Sequence, residues 1–379
     1  MRKILASLFY VLLIVNIFSS CKKTEDISFL HTKEAANDAT VATSTSTSAM
    51  ETPKGLYAVQ RVNKAQDDAV LKNTSIDGIF IRTTWSSIES IEGSYDWTFI
   101  DSEIDRAIAN NKKVEIAIMA GDNSPSWLER KGVKFLDFKI IPHAGEGNPH
   151  WTHIPIVWDA QFITSYSNMV KAFASHLKSS SARYNAISLI KINGINQETA
   201  ETRLPYQDTS YISGTDTASN APQIWIANGY APSKVLAAWD QLATVYSSSF
   251  PDKAIGTAII PDPRGFPSID ETGALIKDRY NYTTKSIIDK SILSYNNQNI
   301  LLFNSLTDKS VTSDLLTYVT QANTLLSFQE NEVYDGKSNT WVENMIKNGV
   351  NSGGKFIEIF NATIKAYPTG VARGRTYFK

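Results

Sequence analysis

The chain lacks several features that mark common classes of protein. It has a single cysteine among 379 residues, so no internal disulfide can form. Its 37 basic and 38 acidic residues nearly balance and form no basic stripe, so nucleic acid is not an expected partner. No glycine-rich phosphate loop follows any candidate strand, which argues against nucleotide binding. We therefore expect no nucleotide ligand and no cofactor.

The apolar run near the N-terminus is too short for a confident membrane span. It extends from Leu5 to Phe18, about 14 residues, whereas a spanning helix needs about 20. A basic start precedes it, and small residues separate it from Cys21, a pattern that resembles a bacterial lipoprotein signal. The resemblance implies that residues 1–20 are a signal peptide and that Cys21 carries a lipid anchoring the protein to the cell envelope. An ordinary signal peptide with an incidental cysteine is the alternative.

The residues after the cysteine refine this expectation. Lys22 and Lys23 follow it and no aspartate does, so the resemblance favours the outer membrane. A periplasmic orientation and an outward, Bacteroidetes-type orientation both stay open. Residues 21–52 are predicted to be a flexible tether, because their Thr-, Ser- and Ala-rich part cannot bury enough surface to offset its ordering entropy. Residues 53–379 are expected to form one domain.

Short apolar runs alternate with helical patterns throughout that domain. The runs predict eight strands, at Gly55–Val59, Gly78–Arg82, Val114–Met119, Ala186–Asn193, Ala254–Ile260, Asn299–Asn304, Thr324–Phe328 and Lys355–Phe360. The helical patterns cover 99–110, 159–177, 233–246, 314–321 and 339–348. Such alternation is typical of a parallel sheet, and eight units indicate a closed (β/α)8 TIM barrel preceded by a disordered tether.

Polar and aromatic side chains lie where the second and third predicted strands end. They are Arg82, Trp85, Asp122, Asn123 and Trp127. In a parallel α/β barrel, ligand-binding residues sit just past the C-terminal ends of the strands. Polar groups mixed with tryptophans suit a sugar, which offers hydroxyls at its edges and C–H groups on its faces. Core packing is the alternative for each tryptophan.

The same stretch carries a family resemblance. It reads Arg82-x-x-Trp85-x-x-Ile88-Glu89-x-x-Glu92-Gly93-x-Tyr95-Asp96-Trp97, followed by Pro125-x-Trp127-Leu128 and later by Pro155-x-Val157-Trp158-Asp159. This pattern is similar to retaining glycoside hydrolases with (β/α)8 barrels, and most of all to their beta-galactosidase-like members. Ser90 stands where proline is usual. The likeness is specific over residues 77–128 and looser over 155–205.

The resemblance implies two catalytic carboxyl groups, one after the fourth barrel strand and one after the seventh. After the fourth strand, Asn196 is followed by Gln197 where the family often has glutamate. Glu201 is therefore the first choice for the acid/base and Glu198 the second, with Asn196 as a substrate-binding residue. Both glutamates being ordinary exposed loop residues is the alternative.

Three side chains compete for the second catalytic position. Glu330 lies nearest to the expected nucleophile, yet Gln329 can equally occupy that place, and an amide binds a sugar but cannot form a glycosyl ester. Glu358 lies within an apolar strand, where alternation turns it away from its Ile neighbours, and a buried charge needs a partner or a task. An ion pair with Arg82 is the alternative to a catalytic role for Glu358.

Further residues complete the predicted site. Trp158 is a candidate for stacking on a sugar, and the segment Asp262-Pro263-Arg264-Gly265 follows the fifth strand as a candidate pocket wall. His143, His150 and His153 lie between Ile140 and Pro155, with a spacing that matches no metal-binding pattern. We expect this segment to be a polar lid and expect no metal site.

These observations support three hypotheses. The first is a glycoside hydrolase that acts on an oligosaccharide or polysaccharide through two carboxylates. The second is a glycan-binding surface lipoprotein on a degenerate barrel, with aromatic stacking but without the nucleophile. The third is a structural protein of the cell envelope, because a fold does not dictate a function.

Overall fold

The computed structural model describes residues 50–142, 147–207, 217–260, 265–276, 282–295, 297–310, 314–332 and 336–378. The predicted signal peptide, Cys21 and nearly all of the predicted tether lie outside these ranges, as do His143 and the segment 262–264. Within them, no helix combines the length and the apolar character that a membrane crossing requires.

The described residues form ten strands. In chain order these are β1 (Gly55–Val59), β2 (Gly78–Thr84), β3 (Lys113–Met119), β4 (Phe135–Ile140), β5 (His150–Pro155), β6 (Ile187–Lys191), β7 (Ala254–Ile259), β8 (Asn299–Leu306), β9 (Leu326–Glu330) and β10 (Gly354–Phe360). All except β4 and β5 pair in parallel around a closed ring, in the order β1-β2-β3-β6-β7-β8-β9-β10. The fourth barrel strand is thus β6 and the seventh is β9.

Helices connect the barrel strands. Those described are α1 (Asp68–Leu71), α2 (Trp85–Ile88), α3 (Thr98–Ala109), α4 (Trp127–Arg130), α5 (Ala160–Lys178), α6 (Ser181–Ala186), α7 (Ala221–Ala227), α8 (Pro232–Ser249), α9 (Tyr282–Tyr295), α10 (Asp314–Gln321), α11 (Asn339–Asn351), α12 (Asn361–Ala366) and α13 (Pro368–Arg375), with a short 3-10 turn at Gly121–Asn123. The long helix α5 begins where the Asp159 carboxylate accepts hydrogen bonds from the backbone N–H groups of Gln161 and Phe162. Its apolar stripe, which includes Phe162, Met169 and Phe173, is buried against the barrel core.

The (β/α)8 barrel predicted from the sequence is confirmed. Each of the eight predicted strands is present, with ends shifted by a few residues at most. The largest shift is in the seventh, predicted at Thr324–Phe328 and observed at Leu326–Glu330. Helix α9 was not predicted, because its apolar residues make only a weak stripe.

Strand alternation sends one set of side chains outward to the helices and the other into the lumen. The lower part of the lumen is filled by apolar side chains that include Tyr57, Leu189, Leu302 and Phe356. The Tyr57 ring also explains Gly78, since a Cβ at that position would lie 2.3 Å from Cε1 of the ring. The barrel interior is therefore packed and is not a pore.

An antiparallel hairpin, β4–β5, follows β3 and precedes α5. The sequence predicted an irregular lid over Ile140–Pro155, which is wrong for His150–Pro155, because these residues pair with Phe135–Ile140. One face of the hairpin is buried, and its Phe138 ring packs 4.9 Å from that of Trp225 in α7. The other face is largely exposed.

Candidate functional site

A charged group lies inside the barrel lumen. Nζ of Lys191, the last residue of β6, lies 2.7 Å from Oε1 of Glu358 and 3.1 Å from Oε1 of Glu115. The same ammonium group sits 3.8 Å from the centre of the Phe80 ring. All three charged side chains are fully buried. Two carboxyl groups therefore share one ammonium group away from water.

The pKa values of Glu115 and Lys191 are both raised in this group. Burial raises the pKa of Glu115 well above its usual range, and the nearby Glu358 carboxylate raises it further. Burial by itself lowers the pKa of Lys191, but the two glutamates outweigh it and the net pKa is raised. Lys191 consequently stays charged, and Glu115 retains a proton to higher pH than a free glutamate does.

Gln329 and Glu330, at the end of β9, point to different surroundings. Nε2 of Gln329 donates a 2.6 Å hydrogen bond to Oε2 of Glu358, so the amide is engaged with the buried charges. Glu330 instead accepts hydrogen bonds from the backbone N–H of Phe360 at 2.8 Å and from the hydroxyl of Thr363 at 2.5 Å. These contacts place Glu330 at the start of α12, where it accepts from one backbone N–H and one side-chain hydroxyl.

Glu330 is also ion-paired. Its Oε1 lies 2.6 Å from Nζ of Lys337, and the Glu330 side chain is fully buried. Burial raises the pKa of Glu330, and Lys337 and the hydrogen bonds offset this only in part. Neither oxygen of the carboxylate that the sequence placed nearest to the nucleophile position is free to face a substrate.

Arg82 spans the upper lumen. Its Nε and Nη2 donate hydrogen bonds of 2.8 and 2.5 Å to the carbonyl oxygen of Gln60, and its guanidinium lies 5.8 Å from the rings of Phe80 and Phe360. An ion pair with Arg82, the alternative to a catalytic role for Glu358, is wrong in its partner, because Glu358 is paired with Lys191.

The pKa of Arg82 is lowered, and nearby acids limit the shift. Burial lowers that pKa, and four carboxylates oppose the shift, with Glu201 the strongest and then Glu358, Glu332 and Glu115. Glu201 and Glu332 come from the loops after β6 and β9, the fourth and seventh barrel strands. Arg82 is therefore within electrostatic reach of one acid from each of the two loops.

Glu201 lies at the mouth of the barrel and is half-buried. Its carboxylate accepts hydrogen bonds from the Asn304 side chain, on β8, and from the Thr199 hydroxyl. Burial by itself raises the pKa of Glu201, but Arg203 and the Thr199 hydroxyl outweigh it, and the net pKa is lowered. Glu201 is therefore a carboxylate anion at neutral pH.

Trp85 and Trp127 are core residues, which corrects their assignment as sugar-stacking residues. Only 0% and 3% of their surfaces are exposed, and their rings meet edge to face 5.7 Å apart. Both indole N–H groups donate to Glu89. The Trp85 N–H donates to the Glu89 carboxylate at 2.6 Å, and the Trp127 N–H donates to the Glu89 carbonyl oxygen at 2.9 Å. Trp158 is half-buried and packs against the Trp225 and Tyr230 rings.

Asn196 and Asn123 tie two loops together. Asn196 is fully buried, and its amide exchanges hydrogen bonds with both backbone groups of Ala120 at 3.2 and 3.3 Å. Nδ2 of Asn123 donates to the carbonyl oxygen of Glu198 at 3.2 Å. The loops after β3 and β6 are thereby held side by side, and Asn196 acts as a positioning residue with no free polar group for a substrate.

Asp122, His150 and His153 fasten the hairpin to these loops. Asp122 is exposed and accepts a 2.6 Å hydrogen bond from the backbone N–H of His153. Nε2 of His150 lies 2.5 Å from Oε1 of Glu198. Across the described residues, no group of three or more His, Cys, Asp or Glu side chains is arranged to hold a metal ion.

Two cavities lie among the outer helices and loops of the barrel. The larger, about 360 Å³, lies between α5 and α8 and includes Asn168 and Asp240 in its lining. The smaller, about 280 Å³, lies between α5 and the loop after β2, beside Glu89 and Tyr95. Neither lining includes Arg82, Glu201 or Glu332.

Three charged residues were missed by the sequence reasoning. Glu115 and Lys191 each lie in an apolar strand with the alternation that identified Glu358, so the same signal was present for them. Glu332 gave no such signal, because it lies in a loop.

The chain is a (β/α)8 barrel protein, and comparisons with known proteins agree at the level of the fold. It is similar to the catalytic domain of beta-amylase from Paenibacillus polymyxa, with a TM-score of 0.58 and 14% identity over 85% of this chain and 97% of that one. No family model matches the chain. No curated protein matches it either.

Two further solved structures are similar at lower scores. The beta-galactosidase from the psychrophilic Marinomonas ef1 has a TM-score of 0.49 and 10% identity, and the match covers 80% of this chain and 53% of that one. Native xylanase 10B from Thermotoga maritima has a TM-score of 0.47 and 9% identity, over 87% of this chain and 95% of that one. At 14% identity, the likeness to the beta-amylase shows the fold and not the reaction.

Proposed function

We propose that this protein is a glycoside hydrolase whose catalytic carboxylates are Glu201 and Glu332. The observation that carries the proposal is that the two glutamates come from the loops after the fourth and seventh barrel strands, at the end of the barrel where Arg82 lies in β2. Catalytic residues of (β/α)8 enzymes come from the C-terminal ends of different strands. The beta-amylase likeness supports the choice of a sugar-cleaving barrel over other uses of the fold.

The lowered pKa of Glu201 decides how the roles are divided. A carboxylate that stays ionised is suited to act as a base, and it is poorly suited to donate a proton. In the proposed reaction Glu201 takes a proton from the attacking water, while Glu332 gives a proton to the leaving glycosidic oxygen. The bond from the anomeric carbon to that oxygen breaks as the bond to water forms, which is the inverting course.

Glu332 takes the second role because the other candidates are engaged elsewhere. Glu330 is bound to Lys337 and to the start of α12, and Glu358 is bound to Lys191 and Gln329. Glu332, by contrast, has an exposed side chain beside the mouth. Exposure lets it meet a substrate that enters from solvent.

The test is turnover of a panel of aryl glycosides and natural glycans by wild type, Glu201→Gln and Glu332→Gln. Each substitution removes a proton-transfer group, so we expect kcat/KM to fall by about 100-fold or more. Glu343→Gln, on the outer helix α11, is the matched control and should retain wild-type turnover. A wild-type protein that cleaves none of the panel removes the hydrolase proposal.

A second candidate function is glycan binding without hydrolysis. The observation that favours it is Gln329, which lies near the C-terminal end of the seventh barrel strand and whose amide is hydrogen-bonded to Glu358. An amide at that place cannot form a covalent sugar ester. Binding of a glycan by wild type, with no turnover and no loss of affinity in Glu201→Gln, would select this candidate.

We also infer that the protein is a lipoprotein anchored through Cys21 to the outer membrane. The support is the sequence pattern of a basic start, an apolar run and small residues before the cysteine. Expressed in a bacterium that lipidates proteins, the wild type should partition into the detergent phase of Triton X-114, and Cys21→Ser should partition into the aqueous phase. Equal partitioning of the two proteins contradicts the anchor. Protease treatment of whole cells then separates the outward from the periplasmic orientation.

A further inference from the structure

Trp151 differs from every other tryptophan of the chain. All eight tryptophans are among the described residues, and Trp151 is 64% exposed, whereas the other seven are buried or half-buried. Leaving a large indole ring in water forgoes the stabilisation that its burial would give. The position of this ring in the fold therefore calls for an explanation other than packing.

The ring stands on the exposed face of the β4–β5 hairpin, which we call the hairpin face. Its members alternate along the two strands and are Phe135, Asp137, Lys139, Trp151 and His153. Trp151 pairs in register with Lys139, and His153 pairs with Asp137. The His153 imidazole also stacks on the Phe135 ring, with centroids 4.7 Å apart and planes inclined by 16°.

Polar groups surround these aromatic rings. Nδ1 of His153 lies 2.6 Å from Oδ1 of Asp137, and its Nε2 lies 3.3 Å from Oε1 of Glu129. The face thus combines a flat exposed ring with carboxylates, an imidazole and an ammonium group. A single exposed ring among charges is far below the roughly 800 Å² per partner that a stable protein interface buries.

Strand β5 is held at the mouth of the barrel. His150 contacts Glu198, in the loop after β6 that also carries Glu201. The backbone N–H of His153 binds the Asp122 carboxylate in the loop after β3. Trp151 lies between these two attachment points, so its ring belongs to the rim of the mouth.

We propose that the hairpin face is a sugar-binding platform on which Trp151 stacks against the apolar face of a neutral pyranose unit. Asp137 and His153 bind hydroxyl groups at the edges of the same glycan, which continues from the rim towards Glu201. The carboxylates of Asp137, Glu129 and Glu198 disfavour sugar acids at this place. This platform rests on the proposed carbohydrate function. It adds Trp151 as the residue that holds the glycan outside the point of cleavage.

The test compares wild type with Trp151→Ala and Trp151→Phe. Native gels containing xylan, mixed-linkage glucan, starch, galactan or polygalacturonate identify the polysaccharides that retard the wild type, and calorimetry with the best one gives Kd. We expect Trp151→Ala to raise Kd by about tenfold or more, as loss of a central aromatic contact does, and Trp151→Phe to retain most of the affinity. The matched control is Leu293→Ala, which removes an 83% exposed side chain from α9.

The outcomes separate this platform from the proposed function. Wild-type Kd in Trp151→Ala, with the glycan still bound or cleaved by wild type, overturns the platform and leaves the carbohydrate function standing. Retardation only by polygalacturonate overturns the proposal that the bound sugar is neutral. A wild type that neither binds nor cleaves any of these polysaccharides ends the carbohydrate function and the platform together. Unchanged thermal unfolding of Trp151→Ala, expected for so exposed a ring, shows that lost affinity is not lost folding.

Discussion

The side-chain amide of Gln329 donates its hydrogen bond to Glu358 and not to anything at the open mouth of the barrel, with Nε2 and Oε2 2.6 Å apart. The other oxygen of Glu358 faces Lys191 at 2.7 Å. Position 329 is therefore part of a buried polar network that also contains Lys191. An amide suits this place because a carboxylate there would add a third acid to one ammonium group.

Gln329→Glu should destabilise the protein, and more strongly at high pH. The new carboxyl group would lie beside Glu358 in a buried site, so its folded pKa would be raised above the unfolded value of about 4.3. An acid with a raised folded pKa loses stability as pH rises above its unfolded pKa. Urea unfolding at pH 5 and pH 8 measures the effect. The exposed Gln241→Glu is the control, and an equal change at both pH values contradicts the prediction.

Lys191→Met should lower the free energy of unfolding by about 3–5 kcal/mol, because it leaves Glu115 and Glu358 buried without their counter-charge. Lys365→Met provides the comparison, since Lys365 pairs with Asp67 on the surface and its loss should cost under about 1 kcal/mol. Denaturant unfolding of the two variants gives both numbers. Similar losses of unfolding free energy for the two variants would show that Lys191 contributes no more to stability than a surface lysine does.

Glu330→Gln should affect stability and leave the chemistry intact. The amide keeps the shape of the side chain but loses the charge that binds Lys337, the Phe360 N–H and the Thr363 hydroxyl. We expect a loss of about 1–3 kcal/mol in unfolding free energy. Turnover per folded molecule should stay at the wild-type level, in contrast to Glu201→Gln. A drop in turnover with unchanged stability would return Glu330 to the list of catalytic residues.

Glu115→Gln should flatten the pH dependence of stability. Burial and Glu358 raise the pKa of Glu115 in the folded state, so between the unfolded and folded pKa values the folded protein holds more protons. Stability linked to this group is complete below about pH 4.3 and is lost as pH rises towards the folded pKa. The wild type should therefore lose more unfolding free energy than Glu115→Gln between pH 5 and pH 8. Parallel curves of unfolding free energy against pH for the two proteins would show that a group other than Glu115 titrates.

The barrel was predictable because its strands are short apolar runs bounded by polar segments, and helices such as α5 carry a broad apolar stripe. The hairpin was missed for a local reason. His150 and Trp151 are both exposed, and they open β5 without the alternation of apolar and polar residues that marks a strand. Pairing with Phe135–Ile140, a contact between separate stretches of chain, overrides that pattern.

The site was harder to predict than the fold. Alternation placed Glu358 in the lumen correctly, but it gave no way to choose between Lys191 and Arg82 as the partner, since that depends on the stagger of strands around the ring. The positions of Trp85 and Trp127 depend on helices α2 and α4, which bring both indoles inward onto Glu89. A motif read along one strand cannot show which of its aromatic rings will be covered by the next helix.

The described strands of the hairpin pair with each other and share no ladder with the barrel. It is attached to neighbouring loops by one buried face and by hydrogen bonds such as those from the His153 N–H to Asp122 and from the Ser219 N–H to the Lys139 carbonyl oxygen. Exchange of the exposed residues of β4 and β5 therefore leaves the hydrogen-bonded ring undisturbed. Outward-facing positions of the hairpin can be changed alone, with the scaffold beneath them serving as a constant support.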